Sequence, residues 1–393
     1  MKIIFVCNDS RRCGIADYSK NLLQELVKLV DVEVVRMPSL AESAGSGSPC
    51  SYLKNARQAY VFGRGIKSGD VCHVQHEYAL WGGLRPLCNV FPYFAAGSRI
   101  PVVLTLHELA LYRAADVRGR LATMLTLPIR PLADYYSDYV NRRMFDFPRA
   151  LIVHTMEQRQ ELLRRGVPED TINYIPHGIP DLDSIESDEQ ALQRFGLRKS
   201  SYLVIIGFIS RRKGYHVAVE ALKLLDGDVR LVFAGGGRTA EDRGYEEELR
   251  RFIARQGLAE RVVITGYLDM PDLKALVSGS LFVLAPFHKA SGSGSLSIAL
   301  SLGKAVLAAR LPEMEELAGL CRAVDLFTGE DPVDLAEKMK ELLASPQLRS
   351  KFEESARTYA TRMSFKEVAA QTVAVYKKIA AQPKSRQQGV FVV

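Results

Sequence analysis

Three consecutive cations, Arg211, Arg212 and Lys213, follow an apolar run that ends at Ile206. Adjacent cations repel one another unless an anion neutralises them. A diphosphate does so, through paired hydrogen bonds from arginine and the point charge of lysine. An exposed basic turn has the same composition. A second feature suited to phosphate is the loop Ser291-Gly292-Ser293-Gly294-Ser295, which precedes helically spaced Leu296, Ala299, Leu300 and Leu302. Such a helix start offers unpaired backbone N–H groups and the positive end of the helix dipole. A flexible connection between packed elements would also be small and polar. Titratable groups follow two further apolar runs, His76-Glu77-Tyr78 after Val71–Gln75 and His107-Glu108 after Val102–Leu106. Imidazoles and carboxylates at the strand ends of one sheet look into a common crevice, so His107, His76, Glu77 and Glu108 are candidate ligand contacts. His73 and His154, inside or at the ends of strands, read as structural histidines. Neither HExxH nor another metal-ligand spacing is present.

The elements that carry these residues follow a repeated pattern. Leu281–Ala285 is a buried strand stopped by Pro286, the helix after the Gly/Ser loop ends near Gly303, and Ala305–Ala309 returns as a strand. The chain opens the same way. Lys2–Cys7 is a strand, Asn8–Gly14 a loop, Leu22, Leu23, Leu26, Leu29 and Val30 one face of a helix, and Val32–Met37 the next strand. Gly14 thus sits at the carboxyl end of a parallel strand, but without the GxGxxG of a dinucleotide site. Residues 39–51 read as a loop. Twelve candidate strands alternate with helices, six on each side of an acidic linker near 181–198. This predicts an α/β protein of two doubly wound, Rossmann-like domains with a ligand cleft between them. The domains are expected over 1–181 and 182–364, with helix 365–380 packing back on the first and a tail at 381–393.

Composition narrows the class. A chain of 393 residues, 47% hydrophobic, is too long for one ordinary core. A net charge of +7 and a pI near 9.0 favour an anionic ligand or surface. No dense Lys/Arg stripe interleaved with aromatics points to nucleic acid. Cys7, Cys13, Cys50, Cys72, Cys88 and Cys321 form no regular framework, which fits reduced thiols in the cytosol. The apolar part of MKIIFVCNDSRR is too short for a signal peptide, and no run approaches the roughly 20 apolar residues that span a bilayer. In the stretch 111–149, Arg113, Arg118, Arg120, Arg130, Arg142, Arg143 and Arg149 are mixed with Leu, Met, Tyr and Phe. That region reads either as a basic amphipathic contact with an anionic bilayer or as a solvated helical insert.

The order GIADYS, HEY, LTLHE, IPHGI, IGFISRRKG, VFAGGG, GYL, SGSGSLSIALSLGK and EEL, closing with Tyr376-Lys377-Lys378, resembles the GT-B glycosyltransferases of family four over residues 1 to about 380. The resemblance implies a retaining enzyme that moves a sugar from a nucleotide-diphosphate donor to a glycan or lipid-linked acceptor in polysaccharide or glycolipid synthesis. It implies no metal or other cofactor, and a location in the cytoplasm or at the inner membrane face. Carried over position by position, it places His107 beside the transferred sugar and gives phosphate contacts to Lys213, Arg211 and Arg212. Gly14, Gly292, Ser293, Gly294, Ser295, Leu296, Tyr267 and Glu316 join the donor site, with Glu316 just ahead of a helix. The HEYALWGG form around Trp81 points towards a GDP-mannose donor, with UDP-linked sugars the other choice. Two glutamates usual in the family, eight positions apart, are replaced by Ala290 and Ile298, and a common arginine by Phe208. The loop instead follows a branch with the form SGxLxxALxxGK. These absences support one alternative, a non-catalytic partner subunit; a nucleotide-sugar epimerase of the same two-domain architecture is another, though it needs acid/base carboxylates that the sequence does not place.

Overall fold

The computed structural model describes residues 1–8, 14–37, 49–83, 88–109, 139, 142–188, 190–289 and 294–382. The chain divides into two compact units, Met1–Pro176 joined by the segment from Val368 onward, and His177–Glu367. In the first unit β1 (Lys2–Cys7), β2 (Asp31–Arg36), β3 (Val71–His76), β4 (Val102–Leu106), β5 (Ala150–Val153) and β6 (Ile172–Tyr174) form a parallel sheet in the order β2-β1-β3-β4-β5-β6. The strands β3, β4 and β5 are buried at every residue, as parallel strands covered on both faces must be, whereas the edge strand β2 is exposed or half-buried throughout.

One face of this sheet is closed by an aromatic cluster. Trp81, Phe91 and Phe94 are fully buried against Val74, Leu104 and Leu151. Helix Phe91–Gly97 lies so close to helix Pro49–Gly65 that a Cβ on Gly63 would sit 2.1 Å from the Phe94 carbonyl oxygen. A Cβ on Gly97 would likewise sit 2.4 Å from the Tyr60 carbonyl. The sequence reading runs a loop to residue 51. Residues 49–51 are instead helical, and 38–48 lie outside the described residues. Of the basic stretch 111–149, residues 111–138 and 140–141 also lie outside them. Its described end turns inward, with Met144, Phe145 and Phe147 buried. Among the described residues no helix is long and apolar enough to cross a membrane.

In the second unit β7 (Tyr202–Ile206), β8 (Arg230–Ala234), β9 (Val262–Ile264), β10 (Val283–Ala285), β11 (Val306–Ala309) and β12 (Val324–Phe327) are again parallel, in the order β12-β11-β10-β7-β8-β9. The first crossing between units falls at Pro176–His177, ahead of the linker expected near 181. The segment after it is tied into the second unit. Ser297 bonds His177 Nδ1 at 2.9 Å, Ile179 bridges Ser364, and Ser301 donates to the Pro180 carbonyl. The second crossing falls at Glu367–Val368, inside helix Phe365–Ala380.

Trp81 is the sole tryptophan, so its fluorescence reports the first unit alone. Phe94→Ala is expected to lower that unit's stability in urea by about 3–5 kcal/mol, because it empties a filled aromatic site. Val61→Ala, on an exposed helix position, should change it by less than about 0.5 kcal/mol.

Candidate functional site

In the second sheet the strand order reverses between β7 and β10, and the loops leaving their carboxyl ends converge there. After Ile206 the chain turns at Gly207 (φ +112°), makes a single 3-10 turn over Arg211–Lys213, and turns again at Gly214 (φ +62°) into helix Tyr215–Lys223. Neither glycine tolerates a side chain. A Cβ on Gly207 would lie 2.4 Å from Lys213 Nζ, and one on Gly214 would lie 1.8 Å from the Pro286 carbonyl oxygen. Lys213 therefore folds back over the end of β7. Its ammonium donates to the Ile206 carbonyl at 2.8 Å and to Ser295 Oγ at 3.2 Å, and lies 4.7 Å from the centre of the Phe287 ring. Burial, and then the charge of Arg212, lower its pKa from the ordinary 10.5 to about 8. Ser295 is the second residue of helix Gly294–Ser301, so the ammonium stands beside the positive end of a helix. An anion placed there would meet both and raise the pKa of the lysine again.

The other two cations behave differently. Arg211 pairs with Glu248 and lies 4.8 Å over the Tyr245 ring. Its charge is thus already met within the protein, although a pair this exposed is worth only about 0–1 kcal/mol and does not lock the side chain. Arg212 is exposed, and its carbonyl accepts the His288 N–H. Phe208, standing where the family often has arginine, is covered by the Arg238 guanidinium at 5.1 Å. Arg238, like the stacked His216–His288 pair at 5.1 Å, was not singled out from the sequence, because each pair joins residues far apart in the chain. Glu330 Oε1 lies 2.9 Å from His288 Nδ1, but out of hydrogen-bond alignment.

Of the remaining expected donor residues, Gly294 opens its helix with empty space around it, and Leu296 is buried. Tyr267 is exposed just beyond β9. Glu316 lies inside helix Pro312–Cys321, not ahead of one, and its charge bears on the Tyr359 phenol. Gly292 and Ser293 lie outside the described residues, as does Ala290; Ile298 is half-buried. Among the described residues no three His, Cys, Asp or Glu side chains group as a metal site.

In the first unit the reversal lies between β1 and β3. Gly14 opens helix Gly14–Leu26 there and is exposed. His107 follows β4 directly. Its Nε2 is 2.7 Å from Gln75 Oε1, and its ring packs edge-on against Tyr18 at 4.7 Å and tilted against His154 at 5.1 Å. His76 does not share that crevice. Side chains alternate along a strand, so the residue after Gln75 faces the opposite side of the sheet. There His76 is wholly buried between the rings of Tyr78 and Phe91, with no hydrogen-bond partner on either nitrogen. Burial lowers its pKa to about 3 and keeps it neutral, so it serves as a packing residue. Glu77 and Glu108 are half-buried next to these two histidines in sequence.

Residues 13–181 match the family model described as Glycosyltransferase Family 4, and residues 188–359 match that of Glycosyl transferases group 1. The chain belongs to the GT-B glycosyltransferases of family four. D-inositol 3-phosphate glycosyltransferase of Xylanimonas cellulosilytica is 29% identical to this glycosyltransferase over 254 residues, which are 60% of this chain but only 58% of that protein. Alpha-D-kanosaminyltransferase of Streptomyces kanamyceticus is 22% identical over 308 residues, 74% of either chain. Among solved structures, Anabaena HepE in complex with UDP superposes with a TM-score of 0.68 at 18% identity, covering 96% of this chain and 100% of that one. Sucrose-phosphate synthase of Thermosynechococcus elongatus gives 0.70 at 16% identity, covering 97% and 99%. At such identities the superpositions establish the fold that this glycosyltransferase shares with them.

The lowered pKa of Lys213 fixes the sign of a pH effect. Below about 8 folded and unfolded chains both carry the proton, and the folded state bears the desolvation cost. Between about 8 and 10.5 the unfolded chain binds more protons, so rising pH stabilises the folded state. Relative to Lys213→Met, the wild type is therefore expected to gain stability from pH 7.5 to pH 10, read as urea midpoints by circular dichroism. A difference that stays flat with pH would show that the ammonium is not desolvated.

Proposed function

We propose that this glycosyltransferase moves a hexose from a nucleoside-diphosphate donor to a hydroxyl of a glycan or lipid-linked acceptor, with retention at the anomeric carbon. The observation that carries the reading is the Lys213 ammonium, held at the end of β7 beside the start of helix Gly294–Ser301 and desolvated there. That arrangement suits a group whose negative charge grows as the reaction proceeds. When the bond from the anomeric carbon to the diphosphate breaks, the departing oxygen gains charge, and a prepositioned cation and helix end stabilise it without reorganising. The acceptor oxygen bonds to the same face of the sugar, and its proton passes to the leaving phosphate oxygen. The reading assigns this work to the chain's own groups and uses no metal ion.

Arg212, exposed at the same turn, reaches the diphosphate, and the weakly paired Arg211 is free to exchange Glu248 for phosphate. His107 is assigned to the transferred sugar, as the family resemblance implies. It orients a hydroxyl and does not act as a strong base. A UDP-linked donor is the first choice over a GDP-linked one, since the HepE structures hold UDP and UDP-glucose. The other reading, a partner subunit without catalysis, draws on Phe208 and Ile298, which replace charged residues usual in the family.

The test is a melting series with UDP, GDP, ADP and dTDP. A ligand at about 100 times its Kd adds about 2.7 kcal/mol of stability. One nucleoside diphosphate is expected to raise the melting temperature, with the shift lost in Lys213→Ala and turnover of the matching sugar donor reduced by at least about a hundredfold. If none of them shifts the wild type, the transferase reading falls and the partner-subunit reading takes its place.

A further inference from the structure

We propose that Gln75 is the positioning residue of His107, fixing which ring nitrogen carries the proton, and that His73, Thr105 and Tyr376 hold Gln75 in the orientation that does so. The functional consequence rests on the reading of His107 as the sugar-side residue.

The row follows from strand geometry. His73 and Gln75 are two apart on β3 and share one face of the sheet. Thr105 pairs with Gln75 in register on β4, and His107 is two residues beyond Thr105, so all four side chains stand on that face. Tyr376 joins them from helix Phe365–Ala380. The contacts then run in sequence. The Tyr376 hydroxyl meets His73 Nδ1, and His73 Nε2 lies 2.7 Å from Thr105 Oγ1 and 3.2 Å from Gln75 Nε2. Gln75 Oε1 completes the row at 2.7 Å from His107 Nε2. His73, Gln75, Thr105 and Tyr376 are all buried, so water does not compete for these bonds.

Donor and acceptor roles propagate along the row. An amide nitrogen can only donate, so the His73 Nε2 that it faces must carry the lone pair. Burial, with the nearby His154 adding to it, holds His73 neutral by lowering its pKa to about 3. Its one proton is then on Nδ1 and is donated to the Tyr376 oxygen. The other end of the amide can only accept, so His107 Nε2 carries a proton, which in the neutral ring leaves Nδ1 as the accepting nitrogen. A sugar hydroxyl that meets Nδ1 therefore donates to it. Turning the amide over would reverse every proton in the row. The row thus has two states, and packing of the His107 ring by Tyr18 and His154 leaves the proton positions as what distinguishes them.

The test reads those protons directly. The full chain is labelled with 15N-histidine, and long-range proton–nitrogen spectra are recorded at neutral pH, with His107 assigned by its absence in His107→Gln. The expected result is a single Nε2–H tautomer at His107 and Nδ1–H at His73. An Nδ1–H tautomer at His107 overturns the proposal, whatever the activity. In Gln75→Glu an oxygen still faces His107, which keeps its Nε2 proton, while His73 must switch to Nε2–H to face a carboxylate. In Gln75→Leu His107 should lose its single tautomer. Its turnover should fall about tenfold to a hundredfold, the usual loss when an orienting partner is removed, while KM for the donor and the melting shift with UDP stay within about twofold. Gln75→Leu with His107 unchanged and turnover within about twofold of wild type also overturns it. A wild type that UDP does not stabilise counts against the transferase reading and leaves the tautomer result standing.

Discussion

Where β7 and β10 lie side by side, the chain leaves β7 in one direction across the sheet and leaves β10 in the other. No crossover helix can cover both carboxyl ends, so the ends stay open and the loops after them are brought together. The bond from Lys213 to Ser295, between residues 82 apart in sequence, is a direct result. The same reversal between β1 and β3 in the first unit brings His107, Gln75 and the start of helix Gly14–Leu26 to one neighbourhood. Topology therefore decides where chemistry can occur, and only a few side chains decide which chemistry.

That open end carries local cost. Gly207 and Gly214 hold left-handed backbone, Gly235 sits where a Cβ would lie 2.1 Å from the Gly207 carbonyl, and an ammonium is desolvated beside the positive end of a helix. None of this helps the ligand-free fold. Close backbone approach at glycines and a desolvated cation at one point suit the proposed anion site, since a phosphate would offset the desolvation.

The strands were legible in the sequence because central parallel strands are buried on both faces and read as unbroken apolar runs. The Ile206–Gly214 turn and the Gly/Ser loop were legible for a related reason, as each is contiguous and its glycines mark the turns. The start of helix Pro49–Gly65 was missed because Pro49, Cys50 and Ser51 end a run of small and turn-forming residues that reads as a loop, although proline suits the first position of a helix. The alternation at the end of β3 was also missed. A histidine one position from Gln75 faces the core, and the residue type alone does not reveal that offset. Pairs formed between distant segments, Arg211 with Glu248 and Arg238 over Phe208, leave no local signal at all. The row from Tyr376 to His107 joins residues about as far apart as the chain permits, and only the folded sheet puts them in line.

The replacements at Phe208 and Ile298 bear on how a donor would be told from its relatives. With arginine and glutamate absent from those positions, the grip of the second unit on a donor falls mainly on the diphosphate, through Lys213, the start of helix Gly294–Ser301 and the arginines of the turn. Every nucleoside-diphosphate sugar presents the same diphosphate, so such a grip binds them with similar strength. Whatever that grip adds to binding or to rate it adds alike for every donor, so it does not change the ratio of their kcat/KM values. Discrimination between sugars then has to arise where the sugar itself changes, as its anomeric carbon gains positive character and its hydroxyls tighten against fixed partners. A neutral imidazole whose accepting nitrogen is set by a buried amide is such a partner, because its preference for one hydroxyl geometry is fixed before the sugar arrives.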